Sequence, residues 1–175
     1  VKICGLRTDR DVDTAIEAGA DAIGFVFSDS PRRVNAATAA RLARRVPGHV
    51  LTVGVFRGET LDDVRALADE SGIRTVQLHG SEDRDYYDGL AAGGRTLIRA
   101  TAFGEPAPRF GELGEDMLLL DAPVPGSGVA WDWSGKSLAA PGEKWLLAGG
   151  LSPANVRDAV AATRPWGVDV SSGVE

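Results

Sequence analysis

Cys4 is the only cysteine in 175 residues, and it closes a short apolar run immediately before a glycine. A free cysteine packs well as a small buried hydrophobe, and that alone could explain it. Its thiolate, though, is also a competent base or nucleophile. Other polar residues end apolar runs in the same way: Gln77 and His79 in VQLHG, Asp121 in MLLLD, and Asp169, Ser171, Ser172 and Gly173 in DVSSG. Arg32 and Arg33 follow a further run in SDSPRR, and Gly149 and Gly150 close LLAGG. A carboxyl group after four apolar residues is placed to donate a proton, because burial favours the protonated form of an acid. Glycines let backbone N–H groups approach a phosphate closely, and serine hydroxyls add donors. Each residue also has a structural reading: a satisfied histidine, a solvated arginine loop, turn glycines, an aspartate that merely ends a strand. A metal site is not expected, since the one other histidine, His49, stands at the start of a run rather than at its end.

The elements that would carry these residues follow a regular rhythm. β-rich runs recur at 2–6, 22–27, 50–56, 74–79, 96–101, 117–121, 144–149 and 167–171. Most are continuously apolar, as strands buried on both faces are. Helical spacing lies between them, with Val12, Ala15, Ile16 and Gly19 on one face and Leu61, Val64, Leu67 and Ala68 on another. Weaker helices are expected over 106–115 and 134–142, and LSPANV reads as a helix start capped by Ser152 with Pro153 in its first turn. Strand and helix in alternation imply a parallel sheet. Eight such strands, with no G-x-G-x-x-G after the first, predict an α/β fold of the (β/α)8 barrel type. In that fold chemistry sits at the carboxyl ends of the strands, and phosphate is often held after strands seven and eight. Cys4, Asp121, the GG pair and the SSG loop all fall there.

Seven helices follow eight strands. The sequence starts inside the first strand and stops where an eighth helix is expected, so residues 1–175 are read as one barrel domain, incomplete at both ends. A continuation of roughly 25–35 residues past Glu175 would reach the lower size limit of the fold. The formal net charge of −6 argues against nucleic-acid binding, and no apolar run approaches membrane-spanning length. A lone cysteine and no signal-like segment predict a reducing, cytoplasmic setting.

KICGL, GADAIGFVF, SPR, VQLHG, LLLD, GSG followed by WDW, LAGGLSPANV and VDVSSGVE, in this order from Val1 to Glu175, resemble phosphoribosylanthranilate isomerase. The resemblance implies an Amadori rearrangement of N-(5-phosphoribosyl)anthranilate in tryptophan biosynthesis, without a cofactor. It implies Cys4 as general base, Asp121 as general acid and Arg32 at the anthranilate side. It also implies a phosphate held by Gly149, Gly150, Ser171, Ser172 and Gly173. Gln77 and His79 are further candidates for contact with substrate. The expected partner is this small phosphosugar, with the chain a monomer or homodimer. Arg7 stands where the family usually has threonine, leaving Thr8 or Asp9 to cap the first helix. Cations near Cys4 would lower its thiol, and Arg7 and Arg32 are the expected ones.

Two rivals remain at this level. A histidine-pathway phosphosugar isomerase would carry a carboxylate in place of Cys4, and a non-catalytic phosphate-binding barrel would need neither Cys4 nor Asp121. The register through SDSPRR is directly testable. Arg32→Ala is expected to raise KM and lower kcat, with Arg33→Ala milder; steady-state kinetics showing the reverse order would place the register off by one.

Overall fold

The computed structural model describes residues 1–103, 108–122 and 144–175. The strands are β1 (Lys2–Cys4), β2 (Ala22–Val26), β3 (Leu51–Phe56), β4 (Thr75–Leu78), β5 (Thr96–Ala102), β6 (Met117–Asp121), β7 (Trp145–Leu147) and β8 (Gly167–Val170). All are parallel; each pairs with its successor, and β8 returns to β1, so the sheet is a closed barrel in sequence order. The register at the closing seam sets Lys2 beside Asp169 and Ile3 beside Val170.

Five α-helices lie among the described residues: α1 (Asp9–Glu17), α2 (Ala36–Ala43), α3 (Leu61–Ser71), α4 (Arg84–Ala91) and α5 (Val156–Thr163). Their starts are written locally. Thr8 caps α1 in a reciprocal capping box with Asp11, and Asn35, Thr60 and Asp83 each accept a backbone N–H at the first turns of α2, α3 and α4. α3 ends on Gly72 at φ 71°.

Alternation along the strands sorts the apolar residues. Val53, Val55, Ile98, Ala100, Met117, Leu119, Leu146 and Ala148 fill the barrel interior, with Cys4 and Val26 packed against them. Their alternates face the helices: Ile23, Phe25, Val76, Leu78 and Leu97 in one cluster, and Leu118, Leu120, Trp145 and Leu147 with Ala159 of α5 in another. The interior also takes in polar groups, since Lys2, Thr75, Gln77 and Asp121 are all buried.

Two expected helices need correction or fall outside the description. Residues 108–115 form turns and no helix. Gly111 and Gly114 adopt φ of 76° and 86°, which a right-handed helix cannot continue through, and the buried Glu115 carboxylate accepts the N–H groups of Gly111 and Leu113 at 3.0 and 2.9 Å. The expected helix over 134–142, with GSG and WDW before it, lies outside the described residues. The start of α5 also differs. Ser152 does not cap it; the Ser152 N–H donates to Asn155 Oδ1 at 2.8 Å, and the helix begins only at Val156. The Asn155 side-chain amide donates in turn to the Gly150 carbonyl oxygen at 2.8 Å, so this segment fastens the loop after β7 before the helix starts.

Leu118 is fully buried between the sheet and its outer layer. Leu118→Ala is expected to cost about 2–5 kcal/mol of stability, read from urea unfolding.

Candidate active site

A cavity of about 180 Å³ opens at the carboxyl end of the barrel. Ten of the candidate site residues singled out in the sequence line it. Cys4 comes from the end of β1, Arg32 from the loop after β2, Gln77 and His79 from β4 and its end, and Asp121 from the end of β6. Gly149 and Gly150 follow β7; Ser171, Ser172 and Gly173 follow β8. Arg33 is exposed and lies outside this lining.

Glycines give the site its shape where a side chain would not fit. Gly24 pairs with Cys4 in the sheet, and a Cβ there would meet Cys4 Sγ at 2.8 Å. Gly5 turns the chain after β1 at φ 86°, and a Cβ on it would strike the Arg32 side chain at 2.5 Å. Gly149, at φ 91°, packs so closely under β6 that a Cβ would stand 2.6 Å from the Ala122 nitrogen and 2.9 Å from Asp121 Oδ1. A Cβ on Gly173 would come 1.9 Å from the Leu151 carbonyl oxygen, so the loops after β7 and β8 are pressed together.

The polar groups facing the cavity divide into paired and unpaired. Asp121 Oδ1 accepts the Ala122 N–H at 2.7 Å, while Oδ2 stands 3.5 Å from His79 Nε2. That Nε2 and Gln77 Oε1 are buried with no hydrogen-bond partner among the described residues. Burial is the main cause that holds the His79 imidazole below its ordinary value, against the pull of Asp121, so it is neutral at pH 7. Arg32 grips Glu175 through two contacts, Nε to Oε1 at 2.5 Å and Nη2 to Oε2 at 3.0 Å. That hydrogen-bonded pairing holds the Glu175 carboxyl below the usual carboxylate range.

The electrostatics of Cys4 depart from expectation. Burial pushes the thiol up, and this outweighs the cations around it. The strongest opposing charge is Lys2, which the sequence reading did not single out, with Arg32 weaker. Arg7 instead donates to the Pro31 carbonyl oxygen at 2.9 Å. Two further residues were passed over as site elements, Gly24 and Glu175. The signal for Lys2 was present: it lies two residues before Cys4 on a strand, hence on the same face. Nothing in the one-dimensional pattern pointed to Gly24 or Glu175.

Among the described residues no group of three His, Cys, Asp or Glu side chains is arranged to hold a metal ion, and no helix is long and apolar enough to cross a membrane. Compared with known families, residues 1–175 match the one described as N-(5'phosphoribosyl)anthranilate (PRA) isomerase. The chain belongs to that family. The phosphoribosylanthranilate isomerase of Roseiflexus castenholzii is 43% identical over 190 residues, covering 100% of this chain and 89% of the relative. The crystal structure of phosphoribosyl anthranilate isomerase from Thermus thermophilus superposes with a TM-score of 0.90 at 35% identity, covering 99% of this chain and 88% of that one. A second structure is phosphoribosyl anthranilate isomerase in complex with reduced 1-(o-carboxyphenylamino)-1-deoxyribulose 5-phosphate. Its TM-score is 0.82 at 34% identity, covering 99% of this chain and 87% of the other. As a phosphoribosylanthranilate isomerase the chain is an aldose–ketose isomerase of tryptophan biosynthesis.

Gly149 is the point where the loop after β7 touches the Asp121 strand. Gly149→Ala is expected to lower kcat/KM by about 10²-fold, the scale of an ångström-level misplacement, while circular dichroism still reports a folded barrel.

Proposed function

We propose that the chain converts N-(5-phosphoribosyl)anthranilate to 1-(2-carboxyphenylamino)-1-deoxyribulose 5-phosphate, with Asp121 as the general acid and Cys4 as the general base. The observation that carries this reading is that both groups line one cavity, from strands β1 and β6 of the barrel. Asp121 protonates the furanose ring oxygen; the C1–O bond breaks and the nitrogen lone pair forms the iminium. The Cys4 thiolate then takes the proton from C2, and the C–H electron pair runs to the iminium as an enolamine. Tautomerisation moves the enol proton from oxygen and places one on C1, which gives the ketone. Cys4 and Asp121 return to their starting protonation by exchange with water.

The remaining residues position the substrate. The phosphate sits against the pressed loops at Gly149, Gly150, Ser171, Ser172 and Gly173, where backbone N–H groups and hydroxyls can converge on it. Gln77 Oε1 and His79 Nε2, both buried without a partner among the described residues, suit the ribose hydroxyls. The anthranilate carboxylate meets Arg32. Glu175 already occupies the guanidinium fork with a carboxylate, which is the two-point geometry such a group needs.

Loss of the anthranilate-type fluorescence of the substrate reads turnover directly. Cys4→Ser is expected to lower kcat by at least about 10²-fold with folding intact, and Asp121→Asn to lower kcat while substrate binding changes little. Because the step needs Cys4 ionised and Asp121 protonated, kcat/KM is expected to follow a bell-shaped pH profile, and a flat profile between about pH 5 and 9 with chemistry rate-limiting contradicts the pairing. Near-normal turnover in a well-folded Cys4→Ser protein removes Cys4 from the chemistry.

A further inference from the structure

Lys2 and Asp169 form an ion pair inside the barrel that the proposed reaction does not use. Lys2 Nζ donates to Asp169 Oδ1 at 2.7 Å, and the two side chains are only 2% and 11% exposed. An ion pair so placed is poor evidence of stabilisation, because desolvating both charges offsets most of their attraction and an apolar pair of similar volume often serves as well. Its position is therefore the feature to explain. Lys2 stands two residues before Cys4 on β1, so both side chains turn to the barrel interior, and Asp169 is the register partner of Lys2 on β8. Asp169 and Cys4 line the same cavity.

We propose that Lys2 is the built-in counter-ion of the Cys4 thiolate and that Asp169 is the residue that holds its ammonium in place beneath the sulfur. This rests on the reading of Cys4 as the base. It makes Lys2 and Asp169 positioning residues that act through Cys4, without touching the substrate carbon. With Cys4 as a thiol, the ammonium and the carboxylate cancel. When the thiol ionises, the new negative charge finds a cation already desolvated and fixed, so little reorganisation is needed. The other titratable groups lining this cavity are Arg32, after β2; His79, at the end of β4; and Asp121, at the end of β6, with the exposed Arg57, after β3, acting on His79. Arg32 is committed to Glu175 and acts on the sulfur more weakly than Lys2. Lys2, Asp169 and Arg32 are the charges that act most strongly on the sulfur.

The electrostatics around the pair point the same way. Burial alone would lower the Lys2 ammonium, but Asp169 and then Cys4 reverse this and raise it, so Lys2 stays charged. Burial raises the Asp169 carboxyl, and Lys2 opposes the rise. On the thiol itself Lys2 pulls down and Asp169 pushes up, with Lys2 the stronger. The two partners therefore act on Cys4 in opposite directions, so each can be tested by removing its charge.

That opposition defines the experiment. Cys4 is the sole cysteine, so its ionisation can be followed without substrate, as the pH dependence of alkylation by iodoacetamide in the full chain. Asp169→Asn keeps an amide oxygen to accept from the Lys2 ammonium and removes only the charge that resists ionisation; with Lys2 still held and charged, the thiol is expected to titrate lower than in the parent. The double variant Lys2→Met/Asp169→Asn removes both charges and strands neither. Its thiol is expected to titrate higher by about one pH unit or more, with alkylation at pH 8 slowed about tenfold. The pH profile of kcat/KM should shift together with the thiol in each variant. Unchanged titration in both folded variants, or movement of both in one direction, overturns the proposal. If the double variant does not fold, Asp169→Asn decides alone: a lower titration supports the proposal, and an unchanged or higher one overturns it. If the thiol moves as expected but the kcat/KM profile does not, Lys2 is the counter-ion and it is Cys4 as the base that fails.

Discussion

Lys2 of β1 pairs with Asp169 of β8 across the seam where the sheet becomes a barrel, and the arrangement of the site depends on that register. A slip of β1 by one residue would turn its inward side chains to the helix layer. Lys2 and Cys4 would then leave the interior together, and the cavity would lose its thiol. The seam is formed by short strands, three residues in β1 and four in β8, so few backbone hydrogen bonds hold it.

The top of the barrel is assembled by close approach as much as by side-chain contact. Gly24 leaves room for the Cys4 sulfur, Gly5 lets Arg32 lie across the end of β1, and Gly149 and Gly173 draw two loops against β6 and against each other. The result is a small opening in which an acid, a thiol, a guanidinium and two glycine loops face one another. Asn155 strengthens the arrangement by bonding both the Ser152 N–H and the Gly150 carbonyl oxygen before α5 begins. The same asparagine explains why a segment with a good serine cap starts its helix late: its side chain is committed to the loop.

Much of this architecture was legible in one dimension. Continuous apolar runs marked buried parallel strands, and their number and order gave the closed sheet. The polar residues at the strand ends marked the lining of the cavity, because in this fold strand ends converge. Where the reading failed, a local competitor won. In 108–115, two glycines with positive φ and the buried Glu115 carboxylate capture the backbone groups that a helix would need. The surroundings of Cys4 failed for a different reason: Arg7 is near in sequence but spends its guanidinium on Pro31, while the charge that matters comes from within the strand.

What the sequence determined by itself was the alternation of strands and helices, the caps at Thr8, Asn35, Thr60 and Asp83, and the set of reactive residue types at strand ends. These depend on periodicity and on hydrogen bonds a few residues long, so neighbouring residues suffice to specify them. Only the tertiary structure decided which charges act on Cys4, that Glu175 rather than solvent holds Arg32, that His79 and Gln77 have buried atoms unpaired among the described residues, and which glycines are sterically required. Each of these depends on distances between strands far apart in the chain. Closure of the barrel fixes those distances, and burial then gives them their electrostatic strength.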